Sequence, residues 1–407
     1  MIPSPRESLS IAEYTAELLR LVRPDDRSVE LPLVQALGRV LAAPMRSRVS
    51  VPAFTNSAMD GYAVRYADVA AAPVLLWVVG DVPAGSPSDP AAGPGECVRI
   101  MTGAPLPTFA DTVVPVEHTD GGVQCVQVRI APACPGVHVR DAAEDIGLGD
   151  PVAAAGDRLT PGLLGALAAA GHTRVDVRPR PVVLLAATGD ELVADGSPLA
   201  RGQIYESNSI VLAAGLTRDG ARALTGPPLR DQPGDLAEWL DHDAGAADLV
   251  ILTGGVSVGA YDVVRDVLTA HAGGTFRHVR MQPGKPQGWG VWPGGTPIIA
   301  LPGNPLSAAL SYELLVRPLL DRILGTSRAS DLTAIAATGW TSPAGRQQLQ
   351  PVRLSSDQHG RLLARPAHPG GSASHLVTSL AYANAIAIVA EDVTQVAPCD
   401  PVTVRML

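Results

Sequence analysis

Apolar residues at helical spacing open the chain. Ile11, Tyr14, Leu18 and Leu21 recur at intervals of three and four residues, which places them on one face of an α-helix. Pro24 follows, and a proline ends a helix because it has no backbone N–H to donate. The pattern therefore predicts an amphipathic helix that packs through this face against a core.

A different pattern extends from Val49 to about Asp145. Short apolar stretches alternate with proline and glycine, as in FTNSAMDGYAV, PVLLWVV, ECVRIMTG, TVVPVE and VQCVQVRI, which predicts a β-rich module without a long helix. A helix is then expected between Thr160 and Gly171. Threonine suits the N-cap, Pro161 suits the first helical position, and glycine suits the residue beyond the last turn.

Strands and helices alternate from Arg180 onward. Apolar runs PVVLLAATG, DLVILTGG and IIALPG predict strands, and Ile204–Glu206 leads into the first helix. The last helix is expected to be capped by Asn304 and closed by Gly325. The predicted helices span about 209–220, 235–246, 261–270 and 305–324. Such alternation is typical of a mostly parallel sheet with helices on both faces, whose ligand crevice lies at the carboxyl ends of the strands.

The chain returns to strands and turns from about Ala329. The runs LQPVRLSS, GRLLARP, AIAIVAE and PVTVRML predict a small closed β domain. The expected fold class is thus a multidomain α/β protein, with a central, mostly parallel αβ sandwich, two β-rich domains and an elongated region of helix and strand.

Length and charge limit the possible classes of protein. At 407 residues the chain is too long for one ordinary core, so two to four domains are expected. A net charge of −9 and 4% aromatic residues provide neither a basic stripe nor a stacking platform, and we expect no nucleic-acid partner. Four widely spaced cysteines without a C-x-x-C pair are expected to be free core thiols.

The beginning of the chain lacks the pattern of a signal peptide. Apolar runs such as Val182–Ala187 are far shorter than the roughly 20 residues of a membrane span. We therefore expect a cytoplasmic protein without a membrane partner.

Lys285 is the only lysine among 31 basic residues. A genomic preference for arginine explains the scarcity of lysine, but not why the remaining one lies in the turn Gln282-Pro-Gly-Lys-Pro. A lysine there places a flexible point charge where it can reach an anion.

Three loops follow strands of the predicted sheet and contain candidate binding groups. The first is Thr188-Gly-Asp-Glu191, the second is TGGVSVG from Thr253 with Asp262 soon after, and the third is LPGNPLS from Leu301 to Ser307. Glycine-rich loops that end at a helix N-terminus offer unpaired N–H groups to a phosphate or a similar anion.

Acidic residues beside such loops indicate a divalent cation, which gives Glu191, Asp248 and Asp262 a candidate role. Structural alternatives remain for several of these residues. Asn304 fits a simple N-cap, Asp190 fits an Asx-turn, and Asp248 fits the start of a strand.

The β-rich module contains two further unusual strings, NSAMDG around Asp60 and RIMTGAPLP around Thr102. Both are also compatible with ordinary turns, the first with a hairpin turned at Asp60-Gly61.

Eight motifs resemble those of one family and occur here in the same order. They are NSAMDGYA, RIMTGAPLP, AEDI, TGDEL, ESNS, TGGVSVG, PGKP and ALPGNPxS. The chain is similar through them to the MoeA family of molybdopterin molybdenumtransferases, which is related to the C-terminal domain of gephyrin. The resemblance extends from about residue 11 to Asn384.

The resemblance implies four domains and a homodimer whose active site is shared between subunits. Residues 1–26 and 180–328 would form the αβ molybdopterin-binding domain, 27–48 and 147–179 an elongated dimerisation domain, 49–146 the β-rich domain and 329–407 a C-terminal β-barrel.

The family reaction consumes adenylylated molybdopterin and molybdate and releases AMP with the molybdenum cofactor. By resemblance, Mg²⁺ is the cofactor, held by Glu191 and Asp262. The upstream adenylyltransferase and molybdoenzyme apoproteins are implied protein partners. The implied catalytic residues are Asp60, Thr102, Asp145, Glu191 and Asp248. The implied ligand-binding residues are Gly254, Gly255, Ser257, Lys285, Pro302, Gly303, Asn304, Pro305, Ser307 and Ser372.

The chain departs from the family pattern at three positions. Ala143 replaces the usual glycine of GEDI, Gln282 replaces the first lysine of KPGKP, and Ala260 replaces a common acidic residue. The chain has one positive charge fewer at Gln282, so the sequence leaves open which groups bind the anion. Arg277, Arg280 or another arginine is a candidate to compensate.

Two other functions compete with molybdenum insertion. A related stand-alone αβ domain adenylylates the pterin, but the additional β domains and NSAMDG argue against that activity. A non-catalytic molybdopterin-binding or scaffold protein is the other alternative, and the intact acidic set argues against it. The sequence does not distinguish molybdate from tungstate.

Overall fold

The computed structural model describes residues 8–256, 262–328 and 331–407. Within these ranges the chain forms two compact units. The first unit contains residues 8–29, 38–42 and 178–407, and the second contains 30–37 and 43–177. The finer division into four domains stays a prediction.

The first unit is built on a seven-stranded sheet. From one edge to the other, its strands are Ser8–Leu9, Thr275–Val279, Pro286–Val291, Pro297–Leu301, Leu249–Thr253, Val182–Ala187 and Arg222–Thr225. Four of the neighbouring pairs are parallel. Pro286–Val291 runs antiparallel to both of its neighbours, because only short loops connect the three strands. The expectation of a mostly parallel sheet is confirmed, with this one reversed strand.

Alternate residues of the central strands face two separate cores. Val183 and Leu185 pack with the first helix on one face, whereas Leu184 and Ala186 pack with other helices on the opposite face. Burial on both faces explains why these strands are apolar throughout. The helices of this unit are Ile11–Leu19, Asn208–Arg218, Pro233–Asp243, Val263–His271, Pro305–Ser311, Arg317–Leu324 and Ser379–Tyr382, with a 3₁₀ turn at Ala244–Ala246.

The long helix predicted after Pro305 contains an irregular turn. Tyr312–Val316 is π-helical and joins Pro305–Ser311 to Arg317–Leu324. Gly325 ends the helix in the left-handed conformation, with φ of 65°, as expected for a glycine beyond the last turn.

The C-terminal strands close into a barrel, as predicted. Gln347–Ser356 pairs with Leu362–Pro366 on one side and with Ala385–Val389 on the other. Pro401–Met406 and Leu332–Ala336 complete the circle. Short strand pairs in this unit are Trp340–Thr341 with Gln395–Val396 and Leu192–Val193 with Ile204–Tyr205, and Met281–Gln282 joins Gln347–Ser356.

The second unit is rich in short strands. One sheet has the order Thr112–Pro115, Gly61–Val64, Glu96–Ile100, Val74–Val82 and Cys125–Val128. Two smaller pairs join Asn56–Ser57 to Val139–Arg140 and Met45–Arg46 to Pro151–Ala153. Further strands are Val29–Pro32 and Arg174–Val177, with 3₁₀ turns at Leu33–Gln35 and Val116–His118 and helices at Tyr66–Val69 and Pro161–Ala169. Thr160 caps the second of these helices by accepting from the Leu163 N–H, as predicted.

All four cysteines are free, but only Cys97 is buried. Cys134 and Cys399 are exposed, so the expectation of core thiols is wrong for them. In the described ranges no helix is both long enough and apolar enough to span a bilayer.

Ala143 has a positive φ of 65°, in the position where the family pattern has glycine. An L-residue in this conformation costs about 1–2 kcal/mol, because its Cβ approaches the following carbonyl oxygen. Replacing it with glycine (A143G) should stabilise the second unit by about 0.5–1 kcal/mol, since the gain exceeds the entropy lost by glycine. Thermal and urea unfolding measure this change. Ala142→Gly is the matched control and should destabilise, and a destabilised A143G would contradict the prediction.

Candidate functional site

The three predicted loops meet at the carboxyl edge of the sheet. The Gly254 N–H donates to the Leu301 carbonyl at 3.2 Å, and a Cβ on Gly303 would lie 3.3 Å from the Gly254 Cα. A Cβ on Gly254 would lie only 2.6 Å from the Thr188 carbonyl oxygen. Glycine is therefore required at Gly254, because the loops pack backbone against backbone.

The second loop continues into residues outside the described ranges. Gly255 has φ of 59° and accepts a hydrogen bond from the Arg265 N–H at 3.2 Å. Ser257 and Ala260 lie outside the described residues. Asp262 stands at the N-cap position of Val263–His271, the helix that follows.

Lys285 lies at the same edge because its strand is reversed. The antiparallel register that pairs Gly288 with Ala300 places the beginning of Pro286–Val291 beside the Leu301 end. Lys285 is exposed there, and its carbonyl accepts from the Val279 N–H at 2.8 Å. The single lysine is thus brought to the glycine-rich loops.

Four carboxylates cluster at this edge: Asp190, Glu191, Asp231 and Asp262. Burial raises the pKa of Asp231, and the negative charges of the other three raise it further. The Asp231 N–H also donates to Asp190 Oδ1 at 3.3 Å. Asp231 is not predicted from the sequence, because it follows Arg222–Thr225, a strand too short to be recognised from its apolar pattern.

The donor chemistry of this cluster fits a hard divalent cation, which prefers carboxylate oxygens. Glu191 is exposed, and its side chain lies against Gly189. A Cβ added to Gly189 would be 2.6 Å from Glu191 Oε2. Within the described ranges no three metal-ligating side chains already surround a common point. The carboxylates are therefore near one another without being fixed in a complete ligand set.

Asp248 does not join this cluster. It immediately precedes Leu249–Thr253, at the amino end of the parallel strand, whereas Gly254 follows the carboxyl end. Its carboxylate accepts from the Val182 N–H at 2.7 Å and from Arg27 at 3.2 Å. The prediction that groups Asp248 with Glu191 and Asp262 is corrected by this position, which matches the alternative of a strand-starting residue.

Asn304 occupies the N-cap position but its side chain does not cap the helix. The Asn304 amide donates to Ser374 Oγ at 3.0 Å, and the Leu306 N–H donates to the Ser374 carbonyl at 3.0 Å. Pro305 has no N–H, so the first amide of this helix that could bind an anion is used by the C-terminal barrel. Asn208 donates to the Gly303 carbonyl at 2.8 Å, and Ser307 is buried. The predicted anion site at this N-terminus is thus partly filled by protein.

A polar cleft of about 710 Å³ lies between the barrel and Gln282. Arg346 lines it and donates to Gln282 Oε1 at 3.0 Å. Ser372 also lines it and accepts from the buried Gln348 at 3.2 Å. Within the described residues, the buried Gln350 Oε1 in the same wall has no hydrogen-bond partner. The cleft therefore presents a guanidinium and several neutral polar groups.

Arg346 is the arginine that contacts the position of the missing lysine. Arg277 lies 3.5 Å from Glu17, and Arg280 is bonded to Glu391 at 2.8 Å. These ion pairs occupy the two arginines proposed from sequence as replacements.

Asp60 and Thr102, two of the implied catalytic residues, contact each other in the second unit. Asp60 Oδ1 accepts from both the N–H and the Oγ1 of Thr102 at 2.7 Å. These bonds, with the positive charge of Arg99, lower the pKa of Asp60. The hairpin alternative is wrong, because Asn56–Ser57 pairs with Val139–Arg140 and not with Gly61–Val64. The exposed carboxylate is held in one orientation and ionised.

Removal of the Thr102 hydroxyl (T102V) should raise the pKa of Asp60 towards its ordinary value, because that hydroxyl makes the largest contribution to the lowering. At a pH above the ordinary carboxyl pKa, the interaction stabilises the fold. This stabilisation is lost as the pH falls through the lowered pKa of Asp60. Carboxyl ¹³C NMR titration measures the change. Asp89 forms the same pair of bonds with Thr108, so T108V should shift Asp89 alone. An Asp60 pKa that moves equally in both variants would contradict the prediction.

Asp145 has an exposed side chain, and its N–H donates to the Val51 carbonyl at 3.0 Å. It lies two residues after the strained Ala143, in the second unit. Its predicted catalytic role remains a prediction.

Comparison with known proteins gives matches along nearly the whole chain. The family described as the MoeA N-terminal region (domain I and II) matches residues 9–171. A probable molybdopterin binding domain matches 185–322, and the MoeA C-terminal region (domain IV) matches 333–407. The fold and the loops at the sheet edge are thus those of a multidomain protein built on a domain of molybdopterin-binding type.

Similar whole proteins agree with these matches. Molybdopterin molybdenumtransferase 2 of Mycobacterium tuberculosis is 43% identical, over 94% of this chain and 95% of the relative. Molybdopterin molybdenumtransferase 1 of the same organism is 34% identical over the same shares. The crystal structure of a molybdopterin biosynthesis moeA protein from Pyrococcus horikoshii has a TM-score of 0.84 at 25% identity, covering 98% of this chain and 100% of its own. The chain belongs to the MoeA family.

Proposed function

We propose that this protein is a transferase that inserts molybdate into adenylylated molybdopterin and releases AMP with the molybdenum cofactor. The principal support is the meeting of three glycine-rich loops, a carboxylate cluster and the only lysine at one edge of the sheet. Relatives that are 43% and 34% identical are named for this transfer.

The substrates are anions, and the chain offers localised positive groups despite its net charge of −9. Lys285, which follows Gln282 by three residues, and Arg346, which bonds to Gln282, are proposed to bind molybdate electrostatically. Ser372 is proposed to donate a hydrogen bond from the cleft wall. The loops at Gly254, Gly255 and Gly303 are proposed to line the site of the phosphate-bearing pterin.

Glu191 and Asp262 are proposed to hold Mg²⁺ when it is bound, with Asp231 close to them. Bound Mg²⁺ would neutralise the phosphoanhydride and act as a Lewis acid on it. Without the cation, the carboxylates would repel the substrate phosphates. We therefore propose that cleavage of the phosphoanhydride depends on Mg²⁺.

Asp60 is proposed to orient a water molecule or accept its proton, because Thr102 keeps the carboxylate ionised and fixed. We further propose a homodimer in which Asp60 and Thr102 of one subunit complete the sheet-edge site of its partner. The four domains implied by the family motifs are part of this proposal. An upstream adenylyltransferase would supply the substrate, and molybdoenzyme apoproteins would receive the product.

The test is incubation of the purified protein with adenylylated molybdopterin, molybdate and Mg²⁺. We expect AMP release together with cofactor formation, and loss of both when Mg²⁺ is chelated. Absence of AMP release from folded protein would reject the proposal. Adenylylation of molybdopterin from MgATP would favour the adenylyltransferase alternative, and ligand binding without either reaction would favour a scaffold. A parallel arm with tungstate compares the two oxyanions.

A further inference from the structure

Gln287 is buried beneath the loop that presents Lys285. Its side chain is 0% exposed, and it lies in the strand Pro286–Val291, two residues after the lysine. Its Nε2 donates to the Gly284 carbonyl at 2.7 Å and contacts Ser311 Oγ at 2.7 Å. Because a carbonyl only accepts, the bond to Gly284 requires that the amide nitrogen, and not the amide oxygen, faces the loop.

These bonds fix the backbone on one side of Lys285. Gly284 has φ of 104°, and a Cβ there would lie 3.1 Å from Ser311 Oγ. On the other side, the Lys285 carbonyl accepts from the Val279 N–H at 2.8 Å. Lys285 is itself exposed, so its ammonium group reaches solvent from a backbone that is held at both ends.

Ser311 connects this loop to the long helix. It is fully buried in Pro305–Ser311 and lies four residues, about one turn, after Ser307. Gln287 therefore joins the Lys285 loop to the helix that begins with the LPGNPLS loop. Both elements are part of the proposed ligand site.

We propose that Gln287 is a positioning residue that holds Lys285 at a set place relative to the helix bearing Ser307. Its amide touches no substrate, and it acts on oxyanion binding only through the lysine. This inference rests on the proposed function, and it extends the ligand site to a buried residue that the family motifs do not include.

The main variant is Gln287→Met, which keeps the length of the side chain and removes both hydrogen bonds. A binding group that is misplaced by about 1 Å can lower activity by up to about 10²-fold. We expect the half-saturating molybdate concentration for AMP release to rise about tenfold, with kcat within about twofold of the wild type. In the Lys285→Gln background, the same substitution should cause no further rise.

Two further variants separate positioning from loss of stability. Ser311→Ala removes one of the two contacts and should give a smaller rise in the same direction. Thr296→Val removes a buried hydrogen bond to the Ala244 carbonyl in the same unit, and it should lower the thermal midpoint without altering the molybdate requirement. An equal rise in the half-saturating molybdate concentration in Gln287→Met and Thr296→Val would overturn the proposal. So would a double variant, Gln287→Met with Lys285→Gln, in which the rises of the two single variants multiply.

A readout without catalysis uses the single lysine. Reductive ¹³C-methylation keeps the charge of Lys285 and gives one ε-amine signal, which Lys285→Gln assigns by its loss. Gln287→Met should shift or broaden this signal, and Thr296→Val should leave it unchanged. An unchanged signal in folded Gln287→Met rejects the positioning role, even if the wild type releases no AMP. A changed signal with no AMP release would reject the proposed function and leave the positioning role intact.

Discussion

Replacing Glu191 with glutamine should slow AMP release by about 10²–10³-fold, because loss of a charged cation ligand removes several kcal/mol of transition-state stabilisation. The side chain is exposed, so the fold should be retained. Part of the rate should return at higher Mg²⁺ concentration, since weaker cation binding is the main defect. The measurement is AMP release as a function of Mg²⁺ concentration, with circular dichroism to verify the fold.

Glu238→Gln provides the matched control for Glu191. It removes the same charge from an exposed position on Pro233–Asp243 and should leave the rate unchanged. A wild-type rate for Glu191→Gln across all Mg²⁺ concentrations would remove Glu191 from the proposed site.

Asp219→Ala should destabilise the first unit by about 1.5–3 kcal/mol, because it removes a buried carboxylate that accepts charge-assisted hydrogen bonds from arginines. Asp219 is 2% exposed, and its carboxylate accepts from the Tyr312 hydroxyl at 2.7 Å. Arg218 and Arg328 each lie 2.9 Å from it, and Arg317 lies 3.1 Å from it. This network surrounds the π-helical turn of the long helix. Urea and thermal unfolding measure the loss.

The pH dependence of this effect has a defined sign. Burial raises the pKa of Asp219, but the bonds from Arg218 and Tyr312 and the nearby arginine charges outweigh it, so the pKa is lowered. The stabilisation is therefore present at a pH above the ordinary carboxyl pKa. It disappears as the pH falls through the lowered pKa of Asp219. The stability difference between Asp219→Ala and the wild type should narrow in acid.

Asp331→Ala is the control for this network. Its ion pair with Arg405 is about one-third exposed and should contribute less than about 1 kcal/mol. Equal destabilisation by Asp219→Ala and Asp331→Ala would show that burial of the network contributes nothing.

The local pattern of residues predicted most elements and three of the loops. Ile11, Tyr14 and Leu18 lie on the buried face of the first helix, as their spacing predicts. The strands before Thr188, Gly254 and Pro302 are apolar on both faces, which predicts a sheet covered on both sides and loops that meet at its edge. The predicted fold class is confirmed.

Asp248 lies at the edge of the sheet opposite the loops with which its sequence position grouped it. It precedes its strand, so in a parallel sheet it must lie at the edge opposite Gly254. This conclusion needs only the sequence and the parallel arrangement. The acidic residues near the loops and the family resemblance both placed Asp248 among the functional residues, whereas the geometry shows a bond to the Val182 amide.

The sequence by itself determined the longer helices and strands, because periodic burial is a local property of the chain. Only the tertiary structure decided that Pro286–Val291 is reversed and brings Lys285 to the ligand edge, that Asp231 joins Glu191, and that Ser374 uses the Leu306 amide. Strand direction, side-chain neighbours and the occupation of helix amides depend on contacts between residues far apart in the chain. A local pattern contains no information about such contacts, and packing of the whole unit selects them.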